Sequence, residues 1–402
     1  MRMKFNKSGQ LLLISVASLL VSGVVTACST LTVDFVFVTS AKAAGVNNYG
    51  EVDVFEVNSE SGFMRQIPTS PFPSGGRNPV ADAVSTDYTN LYVVNRDDNT
   101  IVQFIIGNDG KLYPQNTVNT PGVYPLAVAV GGSNLFVVDT YQPLPSCSSA
   151  APCSGSIAVF PITSSSSTPP SDTLGTPVTN GNLNYWPLSL SGKPNDILLP
   201  TAVTVLASGA DVYVTAHDTT ANSGYVFGFS IGSGGALTAL KGSPFAAGTN
   251  PSAVASDLSS SHVYVTDLAN GNVLGYAVTG GLLSPLSGSP FPAGSQPDAI
   301  AVDASGKFAY VANSLDSTVT AYSIGSGPLT RLGSYATGLQ PVAIGIDPSM
   351  HQYLYTLNYL GSNVSGFELN ADGTLFNSMN SPYPSNAQPT AVAAIPHNGS
   401  KQ

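Results

Sequence analysis

The sequence is poor in charge and in the side chains that usually build catalytic or metal centres. Only 9% of its 402 residues are charged, and it has one Trp, three Cys and four His. From residue 28 onward, 10 basic residues stand against 23 acidic residues, and no basic run or basic patch is present. A nucleic acid is therefore not expected as a partner, because phosphate backbones are bound by clustered Lys and Arg.

The sequence is rich in residues that make strands and turns. It has 43% hydrophobic residues, 40 Gly and 30 Pro. This balance disfavours both disorder and helical bundles. It predicts many short strands joined by tight turns.

The N-terminus has the pattern of an export signal. Arg2, Lys4 and Lys7 precede an apolar run over residues 11–27, which ends at Ala27-Cys28. A basic start, an apolar centre and small residues before the cleavage point are typical of secretory signals. The segment also resembles a bacterial lipobox, which implies lipidation at Cys28 and an extracytoplasmic, membrane-anchored protein in the periplasm or at the cell surface.

Two alternatives to this N-terminal prediction stay open. The 17-residue run could remain as a signal anchor, since it sits at the lower limit of a membrane span. Cleavage after residue 43 would instead release the protein, but it would remove a strand that the repeat described below requires. We therefore predict a signal peptide over residues 1–27, a tether over 28–33, a folded body over 34–397 and a tail over 398–402.

The other two cysteines, Cys147 and Cys153, are separated by five residues. In an oxidising compartment such an isolated pair predicts one small disulfide loop. Two thiolates with no nearby His do not make a zinc site, and neither a metal nor a cofactor is expected.

A pattern like Val263-Tyr264-Val265-Thr266-Asp267 recurs along the chain. The seven copies occupy residues 36–40, 91–95, 135–139, 212–216, 263–267, 309–313 and 354–358. Alternating β-branched and aromatic residues predict half-buried strands. A run with spaced apolar and aromatic residues follows each copy, as in residues 226–231.

A third element places Pro at its start and Ala two positions later. It occurs seven times, at Pro79, Pro125, Pro200, Pro251, Pro297, Pro341 and Pro389. A small side chain suits the innermost strand of a propeller blade, where space is least. With a weaker outer strand near Leu112, Leu237, Leu283, Leu329 and Leu375, the repeat predicts an all-β, seven-bladed propeller of four-stranded antiparallel blades. The chain begins on a second strand and ends on an innermost strand, so the C-terminal strand is expected to join the N-terminal blade.

These motifs resemble the lactonase family of seven-bladed propellers, which includes 6-phosphogluconolactonase and overlaps the proteins with a Tyr-Val-Thr-Asn (YVTN) repeat. The resemblance covers roughly residues 34–397 and includes Ser-Pro-Phe turns at Ser70, Ser243 and Ser289. It implies hydrolysis of a lactone or related cyclic ester, with Glu, Arg or His at the propeller mouth. Scaffold motifs do not identify the catalytic residues.

Antiparallel blades bring the start of each innermost strand and the end of each second strand to one rim. Catalytic candidates there are Arg77 and Arg96, to hold the oxyanion of a lactone, and His217 or Asp218, to act as general base. Candidate ligand-binding residues on the same rim are Asn78, Asn250, Gln296, Asp298, Gln340 and Gln388. Three further groups are expected on this rim: the motif residues Asn95, Asp139, Asp267, Asn313 and Asn358, the aromatics Tyr124, Tyr141, Tyr185 and Trp186, and two insertions over 141–155 and 163–200.

Asp82 and His262 lie outside the group of rim candidates. Asp82 occupies a position that is Val or Ile in the other six copies, so it is expected to pair with Arg77 or Arg96. His262 is expected to be solvated at a turn on the far face.

Two functions remain open at this point. The first is hydrolysis of a neutral lactone, since ten basic residues offer little for a phosphate. The second is a non-catalytic surface propeller that binds a sugar, a peptide or a partner protein, which low charge and rim amides favour. The expected partners are a small neutral polar ligand and the membrane, and the chain is expected to be a monomer.

Overall fold

The structure is a computed structural model that describes residues 32–44, 47–58, 60–164, 172–348 and 353–396. The predicted signal peptide, Cys28 and residues 397–402 lie outside the described residues. Among those described, no helix is long and apolar enough to cross a membrane. A 3-10 turn at Ser233–Gly235 is the one helical segment in the same part of the chain.

The described chain forms 33 strands. In chain order they are β1 Thr32–Ala44, β2 Tyr49–Asn58, β3 Met64–Gln66, β4 Phe72–Pro73, β5 Pro79–Val84, β6 Asn90–Asn95, β7 Thr100–Ile106, β8 Leu112–Asn119, β9 Val123–Gly131, β10 Asn134–Tyr141, β11 Ser156–Ser164, β12 Asp172–Leu174, β13 Trp186–Pro187, β14 Leu198–Val205, β15 Asp211–Asp218, β16 Ser223–Ile231, β17 Leu237–Ala239, β18 Phe245–Ala246, β19 Pro251–Ser256, β20 His262–Asp267, β21 Asn272–Thr279, β22 Leu282–Pro285, β23 Phe291–Pro292, β24 Pro297–Val302, β25 Phe308–Asn313, β26 Thr318–Ile324, β27 Leu329–Ala336, β28 Pro341–Ile346, β29 Tyr353–Asn358, β30 Asn363–Leu369, β31 Leu375–Asn377, β32 Tyr383–Pro384 and β33 Pro389–Pro396.

These strands make seven antiparallel blades. From the inside outward, blade 1 is β33, β1, β2 and β3, blade 2 is β5–β8, blade 3 is β9–β12, blade 4 is β14–β17, blade 5 is β19–β22, blade 6 is β24–β27 and blade 7 is β28–β31. The innermost strand of each blade packs against that of the next, from β5 round to β33 and back to β5. The predicted seven-bladed propeller is confirmed.

The ring is closed by the two ends of the described chain. The C-terminal strand β33 pairs antiparallel with β1, with Val36 opposite Ala394 and Val38 opposite Val392. This is the predicted closure, and it pairs the inner edge of β1, which would otherwise be free.

The tyrosines of the repeat join neighbouring blades. Tyr213, Tyr264 and Tyr310 are fully buried, and their strands are buried on both faces, so the expectation of half-buried strands was wrong for the repeat motif. The Tyr264 hydroxyl donates to the carbonyl oxygen of Gly327 in the next blade at 2.7 Å, and Tyr213 and Tyr310 make the same bond to Gly281 and Gly373. Each tyrosine therefore fills the core between two blades and satisfies a turn carbonyl there.

The Ser-Pro turns also repeat a scaffold contact. The hydroxyl oxygens of Ser70, Ser243, Ser289 and Ser381 each accept a hydrogen bond from a backbone N–H of the third strand, at 2.8–3.0 Å. All four precede a cis proline. These motifs hold the outer edge of the blades, which is why they indicate the fold and not the chemistry.

Candidate functional site

One end of the ring gathers the predicted site residues. The proline that begins an innermost strand lies opposite the last residue of the second strand, as Pro79 opposite Asn95 and Pro297 opposite Asn313. We call this end the mouth face. Arg77, Asn78 and Arg96 lie there on blade 2, His217 and Asp218 on blade 4, Asn250 on blade 5, Gln296 and Asp298 on blade 6, Gln340 on blade 7 and Gln388 on blade 1.

The Asn and Asp that end the repeat motif do not face the mouth. Asn95, Asp139, Asp267, Asn313 and Asn358 are at most 1% exposed. Asp267 accepts hydrogen bonds from the backbone N–H groups of the two residues before Pro251, at 2.9 and 3.0 Å, and Asn313 and Asp139 accept equivalent loop bonds. The expectation that these five side chains line the rim was wrong, because all five are buried and three of them, Asp139, Asp267 and Asn313, hold the loop before an innermost strand.

The two candidate arginines differ in how their charge is used. The Arg77 guanidinium forms an ion pair with Asp98 at 2.5 Å, so its charge is matched. The exposed Arg96 guanidinium instead lies 5.2 Å from the centre of the Tyr124 ring. No carboxylate in the described ranges lies within 4 Å of Arg96. Arg96 is thus the better of the two to meet an incoming negative charge.

Tyr124 is held firmly beneath Arg96. Its backbone N–H donates to the Asn99 side-chain oxygen at 2.7 Å, and its carbonyl accepts from the Thr140 hydroxyl at 2.7 Å. Its ring meets Tyr141 edge to face, with centroids 6.2 Å apart. A cation over such a fixed ring is positioned at small entropic cost. Blades 2 and 3 therefore present an ordered cation and aromatic surface at the mouth face.

His217 and Asp218 are neighbours with different roles. Asp218 is fully buried, and its Oδ1 accepts from the N–H groups of Thr220 and Ala221 at 2.9 and 3.0 Å, so it shapes the turn. His217 is half-buried, with Nδ1 2.9 Å from the Thr249 carbonyl oxygen. Because a carbonyl can only accept, Nδ1 must carry the proton, and neutral His217 has its lone pair on Nε2. Between the two candidate bases, the geometry favours His217.

Four of the six candidate ligand-binding residues share an unusual backbone. Asn78, Gln296, Gln340 and Gln388 each precede an innermost-strand proline and have φ between 52° and 61°. The left-handed region is uncommon for residues other than glycine, and such residues cluster at functional sites. Tyr124, in the equivalent position of blade 3, has φ of 58°. These five residues form a ring of left-handed positions around much of the mouth, and four of them carry a side-chain amide.

Asp298 lies just inside that ring. It follows Pro297 at a bulge, where the equivalent Ser252 donates to the Pro297 carbonyl of the next blade at 2.5 Å. Burial raises the pKa of Asp298 to about 6, and a hydrogen bond from the Ser314 hydroxyl opposes that rise. Its carboxylate is therefore close to half-protonated in mildly acidic solution.

Asp82 does not pair with an arginine. Its Oδ2 accepts a 2.6 Å hydrogen bond from the Thr39 hydroxyl in blade 1, and its Oδ1 is buried without a partner among the described residues. Burial raises its pKa to about 7. The expected pairing with Arg77 or Arg96 was wrong because the side chain points between blades 1 and 2, below the rim.

The insertions contribute less to the mouth than their length indicates. Cys147 and Cys153 form the predicted disulfide, with an S–S distance of 2.06 Å, in the loop between β10 and β11. Trp186 is only 7% exposed and donates Nε1–H to the Leu237 carbonyl at 2.9 Å, and Tyr185 is 4% exposed. Both were expected on the rim, yet they pack into the core.

His262 was expected to be solvated, and this was wrong. Its Nδ1 lies 2.8 Å from Asp257 Oδ2, and both side chains are largely buried on the face opposite the mouth. Hydrogen bonds, first from Ser259 and then from His262, help lower the pKa of Asp257 against the opposing effect of burial. The Thr249 carbonyl that orients His217 was also missed, since a backbone acceptor leaves no signal in a sequence.

Comparison with known proteins agrees with this fold. The family model for "Lactonase, 7-bladed beta-propeller" matches residues 211–327 and 283–391. No curated protein sequence matches the chain. The structure resembles a periplasmic gluconolactonase of Pseudomonas aeruginosa, with a TM-score of 0.70, 18% identity, and coverage of 90% of this chain and 99% of the other.

Two further structures are similar. A Bacteroides fragilis protein named for a suggested 6-phosphogluconolactonase activity gives a TM-score of 0.68 at 19% identity, covering 91% of this chain and 99% of its own. The Citrobacter koseri protein AztD gives 0.53 at 10% identity, covering 91% and 98%. At these identities the structures support the fold alone. The family match over residues 211–391 and the closed seven-bladed ring together show that the chain resembles the lactonase family of seven-bladed β-propellers.

Proposed function

We propose that this protein hydrolyses a neutral lactone or related cyclic ester at the mouth face. The observation that carries the proposal is the contact between His217 Nδ1 and the Thr249 carbonyl, at 2.9 Å. It fixes the tautomer in which Nε2 can accept a proton. A general base oriented in this way is what water needs to attack a carbonyl carbon.

The reaction has two steps. His217 Nε2 takes a proton from water as the water oxygen bonds to the lactone carbonyl carbon, and the carbonyl oxygen becomes an oxyanion. The tetrahedral species then collapses, the bond to the ring oxygen breaks, and His217 returns the proton to that oxygen. The product is a hydroxy acid, and the histidine ends in its starting state.

Arg96 is the group we assign to the oxyanion. Its guanidinium is exposed, lies over Tyr124 and has no acidic partner in the described chain, so its charge is available to the substrate. It lies on blade 2 and His217 on blade 4, on the same face and with blade 3 between them. Arg96 and the exposed Lys42, which lies near Gln388, are the mouth-face cations without an ion pair in the described ranges, and so few cations favour a neutral lactone over a phosphorylated one, which would require several.

The test is hydrolysis of a panel of neutral and phosphorylated lactones by the wild type, His217→Ala and Arg96→Ala. Each variant is expected to lose at least about a hundredfold in kcat/KM, which corresponds to about 2.7 kcal/mol of transition-state stabilisation. Matched controls are His262→Ala on the opposite face and Arg65→Ala, whose guanidinium pairs with Glu56 on blade 1. Comparable losses in the controls, or no turnover by a folded wild type, would contradict the proposal.

A second candidate is a non-catalytic propeller that binds a neutral polar ligand such as a sugar. The left-handed amides Asn78, Gln296, Gln340 and Gln388 favour it, because strained polar side chains around a mouth suit hydrogen bonding to hydroxyl groups. Calorimetry with oligosaccharides should then give binding that Gln340→Ala and Gln388→Ala weaken. Binding without turnover would replace the first proposal with this one.

We also propose export and anchoring through Cys28. The support is the sequence pattern alone, which lies outside the described residues. Strand β1 begins, and β33 ends, at the end of the ring opposite the mouth face. An anchor only a few residues before Thr32 would therefore direct the mouth away from the membrane. Incorporation of labelled fatty acid that is lost in Cys28→Ser supports the proposal, and equal labelling of the variant contradicts it.

A further inference from the structure

The mouth face carries a group of exposed leucines on blades 6 and 7. Leu315, Leu339 and Leu360 are 67%, 62% and 68% exposed. Single exposed leucines are ordinary on protein surfaces, but several on one face of adjacent blades indicate a binding surface. With the half-buried Leu268 of blade 5 they form what we call the leucine arc: Leu268, Leu315, Leu339 and Leu360.

The leucine arc is continuous. Leu268 and Leu315 line one open groove between blades 5 and 6. The turn that carries Leu315 bonds to the loop that enters blade 7, where the Gln340 backbone N–H donates to the Ser317 hydroxyl oxygen at 3.4 Å. Within blade 7, the turn that carries Leu360 bonds to the loop of Leu339, through the Gly361 N–H at 3.1 Å. The four leucines thus follow one another along the rim.

The groove opens onto the mouth and disfavours anions. Gln296 lines it and also belongs to the ring of left-handed residues, immediately before Pro297. The ionisable side chain in the groove lining is Asp316, whose Oδ2 accepts the Ser295 backbone N–H at 2.6 Å. The carboxylate repels phosphate and carboxylate groups, whereas the exposed leucines favour contact with an uncharged alkyl chain.

We propose that the leucine arc binds the alkyl chain of an amphiphilic lactone, whose polar ring lies at the mouth. This inference rests on the proposed lactone hydrolysis and specifies its substrate class. The cation and aromatic surface of Arg96 and Tyr124 lies on blades 2 and 3, and the leucine arc lies on blades 5 to 7. A molecule with a polar head and an apolar tail matches this division of the rim.

The test compares γ-lactones whose ring carries alkyl chains of zero to six carbons. The kcat/KM of the wild type is expected to rise about twofold per added CH₂, since a fully buried CH₂ is worth about fourfold and the groove is open. The double variant Leu315→Asn/Leu339→Asn should lose this rise and keep its rate on the unsubstituted lactone. The control is Leu258→Asn, which changes a 59% exposed leucine on the opposite face and should keep the rise.

Calorimetry with the matching alkyl lactams, which bind but resist hydrolysis, separates the two proposals. A chain-length effect on lactam affinity without any turnover supports the leucine arc and ends the proposal of catalysis. Turnover with no dependence on chain length in the wild type overturns the leucine arc and leaves catalysis standing. A rise that the double variant retains also overturns it.

Discussion

The buried carboxylate of Asp82 should make the stability of the propeller fall as pH rises. Burial raises the pKa of Asp82 from 3.8 to about 7. The folded state then holds more protons than the unfolded state between about pH 4 and pH 7, so the free energy of unfolding decreases across that window. A shift of about three pKa units corresponds to about 4 kcal/mol once both states are ionised.

Replacing Asp82 with valine, the residue found at this position in four other blades, isolates that effect. The variant loses the 2.6 Å bond from Thr39, which costs about 1–3 kcal/mol at any pH because the hydroxyl is left without its acceptor. It also removes the free-energy cost of ionising a buried carboxylate, which is small at pH 4 and about 4 kcal/mol at pH 8. Asp82→Val is therefore expected to be less stable than the wild type at pH 4 and more stable at pH 8.

The assay is denaturant unfolding of both proteins at several pH values between 4 and 8. The other buried carboxylates with raised pKa values, Asp53, Asp139, Asp211 and Asp298, are common to both proteins and cancel in the difference. The exposed carboxylate of Asp97 on the same blade provides the control variant Asp97→Val. A stability difference between Asp82→Val and wild type that does not change with pH would refute this reasoning.

Two further predictions concern the scaffold. Tyr264→Phe should destabilise the fold by about 1–3 kcal/mol in denaturant unfolding, because the Gly327 carbonyl in the next blade is left unsatisfied; an unchanged midpoint would contradict the bond between blades. Gly248→Ala should lower the melting temperature far more than Gly306→Ala. Both glycines have positive φ, but a Cβ at 248 would lie 2.0 Å from Asp267 Oδ2, whereas at 306 it meets nothing within 4 Å. Equal shifts would mean that backbone strain alone decides the effect.

The fold could be predicted because its signals are local and repeated. The Tyr-Val strands, the Pro-x-Ala strands and the Ser-Pro turns each recur with the blades, and the phase of the repeat gave the pairing of β1 with β33. Strand alternation also predicts which side of a blade a residue occupies. The order of elements along the chain is therefore enough to reach the seven-bladed ring.

The site was harder to predict because it depends on where single side chains point. Asp139 and Asn313 end the same kind of strand as residues that do reach the rim, yet they turn back to bond their own loops. The partner of Asp82 is Thr39, 43 residues earlier and in another blade. The Asp82 contact forms only when blades 1 and 2 pack together, and the loop contacts depend on where one side chain turns, so neither spacing nor composition reveals them.

A variant that lacks the general base His217 should regain activity when a small soluble base is added. The most direct test of the central claim is hydrolysis of a neutral lactone by His217→Ala with increasing imidazole. If His217 Nε2 is the general base, imidazole should restore the rate saturably, by at least about tenfold, and should not accelerate the wild type beyond the background reaction. A rate that rises equally with imidazole in His217→Ala, in the wild type and without protein would contradict the claim.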